Sequence, residues 1–497
     1  MSHSSETPLA SHGLARQIGL VTVVSCGIGS IIGSGIFKKP GVMATQLWSP
    51  ELIVLVWIVA GFMTLFGSLT IAEISGMFSD SGGQYAYFNR SYNRFTGYLY
   101  GWSVFAIIQT GSIASIAYVF SDSLGYFFQF PRLPASLESL TIPIPFLGGI
   151  TPLKFMGLKL CTVGLILFLT LMNYLGVKLG SAIQVMFTSM KVLTLAVIII
   201  FAFTLGHGST GHFFQSIAPE GATTSSVFFA FVIALSGAFW AYDGWINVTY
   251  ISGEIKNVQK TLPVSMFITA VTVMAIYIVV NLAYIYIIPI WEMAGKYLQA
   301  ESQGMPYLVA TDVARSFLGD WSGGLIAVAI MISTFGAVNG TIMMSARVSY
   351  SMAREGLFFR KIGEIHPRFK TPGPSLILQG IWSSLLVLSG TFDQLTDMLI
   401  FVSWIFYAAA ALGVIILRKK MPDHPRPYRV WGYPWIPVAF VLFALMFVGF
   451  TLYTDIAGFL SGRLPLINSL MGVFLVSLGI PGYLYWSRKS KKGMNIT

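Results

Sequence analysis

The sequence predicts an all-α membrane protein with twelve transmembrane helices, and three observations carry that prediction. The 497 residues are 55% hydrophobic and only 10% charged, with a mean hydropathy of +0.73, whereas soluble domains carry charge on about a quarter of their residues. Apolar runs recur along the chain at the length a helix needs to cross a bilayer, about 20 residues for ~30 Å of hydrocarbon. Two of those runs are interrupted by glycine-rich or polar stretches, one near the start and one near the middle.

The runs lie near 17–37, 52–75, 96–124, 157–176, 183–205 and 226–250, then near 264–289, 322–345, 375–391, 397–417, 435–454 and 467–486. Charged or Pro/Gly-containing loops bound each of them. A polar tail, residues 1–15, precedes the first run and lacks the apolar core of a cleaved signal peptide. A basic tail, 487–497, follows the last. Twelve spans return the chain to the side on which it began, and the basic residues say which side that is. Of the 30 Lys and Arg, 21 fall on the side of the termini, eight on the other, and Lys191 within a span. The positive-inside rule therefore places both termini in the cytoplasm.

That distribution also argues against nucleic acid as a partner, because the formal charge of +11 is spread through short loops and not gathered on one face or arm. Cys26 and Cys161 sit in separate apolar runs, so neither a disulfide nor a thiolate metal framework is expected. All six histidines lie in tails or loops. An intramembrane serine would thus lack a histidine base and could pair only with Lys191, which disfavours an enzyme. No metal and no cofactor are expected, and the partners left are the lipid bilayer and a small solute. A receptor that binds without transporting remains open.

In the first run Gly27, Gly29, Gly33 and Gly35 fall within nine residues, and each glycine weakens a helix by about 1 kcal/mol relative to alanine. Small residues at this spacing also permit close helix packing. The other reading is that Gly33-Ser34-Gly35 unwinds and bares peptide groups that need a polar partner in a dry medium. A second interruption five spans later, Ser236-Gly-Ala-Phe-Trp-Ala-Tyr-Asp-Gly-Trp245, favours unwinding. Broken helices at matching positions of two halves mark a transporter site between inverted repeats. The repeats are expected at 16–205 and 226–418, with two further spans in 435–486. Half-helix ends suit a zwitterion: a carboxylate toward the amides of Ser34 and Gly35, and an ammonium toward carbonyls around Ile31, Trp240 and Ala241.

Two ionisable side chains lie at membrane depth, where charge normally survives only at a substrate path or ion site. Lys191 either contacts carbonyls released by the first break, gives up its proton, or snorkels to the cytoplasmic interface. Asp243 either favours cationic substrates, by pairing or by its field, or points away and accepts hydrogen bonds from unwound backbone. Asn339 and Thr341 in the eighth span and Tyr407 in the tenth line the path, or pack in the core. The glycosylation patterns Asn247-Val-Thr249 and Asn339-Gly-Thr341 fall inside spans and carry no weight.

Four motifs in order, Ile31-Ile-Gly-Ser-Gly-Ile-Phe37, Trp240-Ala-Tyr-Asp-Gly-Trp245, Gly253-Glu-Ile-Lys-Asn-Val-Gln-Lys-Thr-Leu-Pro263 and Ser345-Ala-Arg-Val with Ala353-Arg-Glu-Gly356, resemble the amino acid, polyamine and organocation transporter superfamily. The resemblance runs from Arg16 to Tyr453 and is nearest to the L-amino-acid transporter branch and its bacterial relatives. It implies a LeuT-type fold of five plus five inverted helices with two added at the end, working by alternating access. It further implies that Ile31, Ser34, Gly35, Trp240, Ala241 and Asp243 surround the amino acid, with Trp240 as a gate. Lys191 matches a lysine standing where sodium-coupled relatives hold sodium, which implies a sodium-independent carrier of L-amino acids, and Asp243, where many neutral-selective relatives have an uncharged residue, extends the expected range from neutral to cationic ones. Exchange is the simplest such cycle, and proton-coupled symport the alternative. Animal relatives bond a helper subunit through a cysteine between the third and fourth spans; the loop from Gln129 to Met156 has none, so no disulfide-linked helper is expected. The short tails imply a bacterial protein of the plasma (inner) membrane.

Overall fold

The computed structural model describes residues 18–78, 82–216, 223–302 and 307–494. The expected amino-terminal tail, 1–15, and the last three residues of the basic tail lie outside them. Eleven helices among the described residues are long and apolar enough to cross a membrane.

The chain runs through α1 (Leu20–Ile31), α2 (Gly35–Leu47), α3 (Pro50–Met77), α4 (Gln84–Ser91), α5 (Arg94–Leu124), α6 (Met156–Leu175), α7 (Val177–Thr204) and α8 (Thr224–Tyr242). A 3₁₀ segment, Asn247–Glu254, leads to α9 (Val258–Ile287), α10 (Ile290–Ser302), α11 (Val309–Leu318), α12 (Ser322–Arg354), α13 (Gly373–Ser389), α14 (Phe392–Lys420), α15 (Trp435–Leu460), α16 (Asn468–Ser477) and α17 (Gly479–Met494). Several starts are written locally. Ser49 accepts from the Leu52 amide ahead of Pro50, the first residue of α3, where the missing N–H of proline costs nothing. Thr223 with Ser226, and Thr391 with Gln394, make reciprocal caps at α8 and α14.

The expected ninth span, 375–391, corresponds to α13, whose 17 residues reach ~25 Å. By length it stops short of the other eleven. It packs on α5, α6 and α12. The first break falls where expected, with α1 ending at Ile31 and α2 resuming at Gly35. The second lies later than expected: Ser236 to Tyr242 stay helical, and the chain opens only at Asp243. Apolar packing along α8 holds the intervening residues in register, and the left-handed Gly244, φ 101°, turns the chain.

The most enclosed helix is α5, with 94% of its apolar window buried. Around it pack α12, α14, α6 and α13. The interrupted pairs lie against this core: α1 on α7, α9 and α12, and α2 on α8. On one side the loop after α5 forms a hairpin, β1 (Ile142–Ile144) with β2 (Gly148–Ile150), bound to the α15–α16 loop through Gly149 N–H to Pro465 O (2.9 Å) and Ile467 N–H to Leu147 O (2.9 Å).

At the opposite end a carboxylate organises the α14–α15 loop. Glu73, 1% exposed, accepts two bonds from Arg418 (2.8 and 2.7 Å) and one from the Val430 amide (2.8 Å), and Arg426 stands 3.4 Å away. Removing one partner of a buried pair strands the others. Glu73→Ala should therefore destabilise the folded protein by about 3–5 kcal/mol, read as a lowered melting temperature in detergent.

Candidate substrate site

Where the two breaks meet there is a cavity of about 10 Å³, enough for roughly one water molecule. The first break contributes Ser30, Ile31, Gly33, Ser34 and Gly35, and the second Trp240, Ala241 and Asp243; α5 adds Ser112 and Ile116. All six residues expected to surround a ligand are thus brought together. Ser112 and Ile116 were not foreseen, although a polar residue and an apolar one a single turn apart in a long apolar run mark one helix face.

Close contact of backbones makes this junction. A methyl group at Gly35 would lie 2.5 Å from the Ala241 Cβ and 2.6 Å from its Cα, and one at Gly244 would lie 2.8 Å from the Ser30 carbonyl oxygen. The amides of Ser34, Gly35 and Ile36 make no backbone hydrogen bond among the described residues, and the buried Ser34 hydroxyl has no partner. These groups form the amino-terminal end of α2, which carries partial positive charge.

The carbonyl side is partly satisfied by two side chains. Lys191 reaches from α7 and donates to Gly29 O (2.8 Å) and Ile32 O (2.9 Å), with 1% of its surface exposed. Of the three readings of this lysine, its position matches contact with the first break. Tyr277 on α9, absent from the sequence reading, has its hydroxyl 3.1 Å from Ile31 O and 3.0 Å from Ala241 O. One hydroxyl thus spans both breaks. Asp243 lines the cavity while accepting from the Tyr407 hydroxyl (2.7 Å). Asn339 is not among the lining residues; its carbonyl oxygen accepts from Asn173 (2.7 Å) between α6 and α12. Thr341 bonds back to Ala337 O (2.9 Å) within α12.

Aromatic and polar contacts flank the cavity on both sides. On the α2 side Trp240 meets Phe392 edge-on, ring centroids 5.0 Å apart. Lys38 pairs with Asp122 (3.0 Å) and Lys39 with Asp393 (3.2 Å), and both amines lie over the Phe392 ring. On the other side the Tyr100 and Tyr250 hydroxyls bond at 2.7 Å, Gln109 donates to Asn247 (2.8 Å), and buried Arg347 pairs with Glu254 (2.6 Å). The backbone of Ile18 is stitched to Glu254 and Lys256. Apart from Trp240, the pairings themselves were not foreseen, because each joins segments distant in the chain.

A helical membrane protein whose two interrupted helices enclose a polar cavity is consistent with a LeuT-type transporter. The sequence model of the amino acid permease family matches residues 18–476, and the chain belongs to that family. It is similar to the serine/threonine exchanger SteT of Bacillus subtilis (strain 168), with 31% identity over 446 residues, 89% of this chain and 93% of that protein. It is also similar to the human b(0,+)-type amino acid transporter 1, with 30% identity covering 84% of this chain and 79% of the relative. The human large neutral amino acids transporter small subunit 2 is 29% identical over 98% of this chain and 85% of its own length.

The contrast between two neighbouring glycines tests the junction. A methyl group at Gly33 would meet only the Ile31 carbonyl oxygen, at 3.9 Å. Gly35→Ala should lower the melting temperature, as a clash in a packed interior costs about 1–3 kcal/mol, whereas Gly33→Ala should leave it unchanged.

Proposed function

We propose that this protein is a sodium-independent exchanger of L-amino acids, neutral and cationic, that works by alternating access. The observation that carries the reading is the junction of two broken helices, with unpaired amides at Ser34 and Gly35 facing the carboxylate of Asp243 across one cavity. A zwitterion complements that field, its carboxylate on the α2 end and its ammonium near the α8 end. The named relatives include a serine/threonine exchanger and amino acid transporters, and transport by this chain, in place of catalysis, follows the same line.

Lys191 fills the position a coupling cation would need, its ammonium on the Gly29 and Ile32 carbonyls. With that amine already on those carbonyls, sodium has no reason to bind. The cavity admits only about one water, so substrate entry requires one closure to open while the other holds. Trp240 and Phe392, with the Lys38 and Lys39 pairs, form the outer closure; Tyr100, Tyr250, Arg347 and Glu254 form the inner one. The same reading takes 16–205 and 226–418 as inverted repeats, α13 as the ninth of twelve spans, and both termini as cytoplasmic in a plasma membrane. No disulfide-linked helper enters it.

Counterflow in proteoliposomes tests exchange: labelled substrate should accumulate only when internal substrate is present. Uptake driven by an imposed pH gradient into empty vesicles, without internal substrate, would instead establish proton-coupled symport. Asp243→Asn should weaken cationic substrates by about tenfold or more, roughly one lost charge-assisted hydrogen bond, and neutral ones less, in competition assays against one labelled amino acid. Lys191→Ala should slow exchange while expression and monodispersity stay intact; unchanged kinetics would remove the lysine from the cycle.

A further inference from the structure

Beside the outer closure lies a second polar cluster that transport does not use. Asp397 stands on the second turn of α14, Asp455 near the end of α15, and Asn468 and Ser469 open α16. Asn468 Nδ2 donates to Asp397 Oδ2 (3.2 Å), and the Ser469 amide donates to Asp455 Oδ2 (2.8 Å). Consecutive residues thus grip one carboxylate each and draw the two into a single cluster.

The charges of this region do not balance. Lys38 is matched by Asp122 and Lys39 by Asp393. Asp397 and Asp455 form no direct ion pair with Lys or Arg among the described residues; Lys39 attracts Asp397 from beyond contact, while Asp393 and Asp455 repel it. Asp455 is 9% exposed. A buried carboxylate with no ion-pair partner, as Asp455 is, is costly, and the amino-terminal end of α16 offsets only part of that cost.

Two uncharged oxygens complete the cluster. The Asn468 Oδ1 atom makes no hydrogen bond in a residue 4% exposed, and the Ser469 hydroxyl belongs to a residue with no exposed surface. That hydroxyl stands beside Asp455. A proton shared by the carboxylates would leave the amide oxygen without a donor. A cation held by the carboxylates gives that oxygen a partner.

We propose that Asp397, Asp455, Asn468 and Ser469 form a binding site for a hard, oxygen-seeking cation at one end of α14, α15 and α16. Two carboxylates, an amide carbonyl and a hydroxyl are the ligand types that calcium takes, with water completing the shell. Asp397 is half-buried and gives the ion its way in. Asp393, the partner of Lys39, lies one turn before Asp397 on α14. A cation at Asp397 removes the competing attraction for Lys39 and keeps that lysine on Asp393, so an occupied site reinforces the outer closure.

The test uses the purified full chain stripped of divalent ions, titrated with calcium chloride at constant ionic strength. Calcium should raise the melting temperature by roughly 2–4 °C at saturation and give a binding isotherm by calorimetry. Asp397→Asn and Asp455→Asn should abolish both. Ser469→Ala, the mildest change, should weaken binding by about tenfold and keeps the test decisive if a carboxylate variant fails to fold. A rise with sodium, but not calcium, that the same variants abolish would uphold the site and assign it to a monovalent ion. No response to calcium, magnesium or sodium overturns the proposal, as does a response that survives Ser469→Ala and both Asn variants unchanged. It is equally overturned if the Asn variants alone stabilise an unresponsive protein, since the carboxylates then share a proton.

Discussion

A peptide group inside a bilayer has no water to bond with, and everything at the centre of this protein follows from where α1 and α8 leave such groups unpaired. The two helices stop against each other, at Ile31 and Tyr242, so the bared groups of one face those of the other. Gly35 and Gly244 permit the approach, because a side chain on either would strike backbone. Lys191 and Tyr277 then bind carbonyls at the seam from outside it. What stays unpaired, the amides of Ser34, Gly35 and Ile36 and the Ser34 hydroxyl, is a small set of donors in one place.

The polar pairs above and below that seam divide the work by depth. Each joins an interrupted segment to a continuous helix: Lys38 and Lys39 on α2 to α5 and α14, and Tyr250, Asn247 and Glu254 on the 3₁₀ segment to α5 and α12. Hydrogen bonds and ion pairs of this kind have modest net strength when the alternative is water. They suit a closure that must open, whereas the apolar contacts of α5 with its neighbours suit a frame that must not.

Much of this was legible in the residues because it depends on local pattern. Apolar runs set the spans, and Gly33-Ser34-Gly35 set the first break to within a residue. The six lining positions came from the two motifs and the resemblance together. The second break was placed too early because Gly237 suggests weakness that packing overrides: a side chain there meets only the flexible ends of Lys39 and Met43, so the helix continues to Tyr242. Tyr277, Phe392 and the Tyr100–Tyr250 pair were invisible for another reason. Each is an unremarkable aromatic in an apolar run, and only the fold sets its hydroxyl or ring against a partner more than 30 residues away. Asn339 stayed open between path and core for the same reason, since an amide in a span signals a polar partner without saying whether that partner is solute or Asn173.

The two breaks are not electrically equivalent, and the difference bears on how a zwitterion sits. A helix carries partial negative charge at its carboxy-terminal end. At the end of α1 that charge is met by a resident cation, the Lys191 ammonium on Gly29 and Ile32. At the end of α8 the chain places Asp243, a carboxylate, where the dipole disfavours one; the Tyr407 hydroxyl donates to it. Negative charge added to a negative helix end is unfavourable until a cation arrives. On the proposed reading the α-ammonium meets carbonyls at the α8 end, and the amine of a cationic side chain is the cation that reaches Asp243.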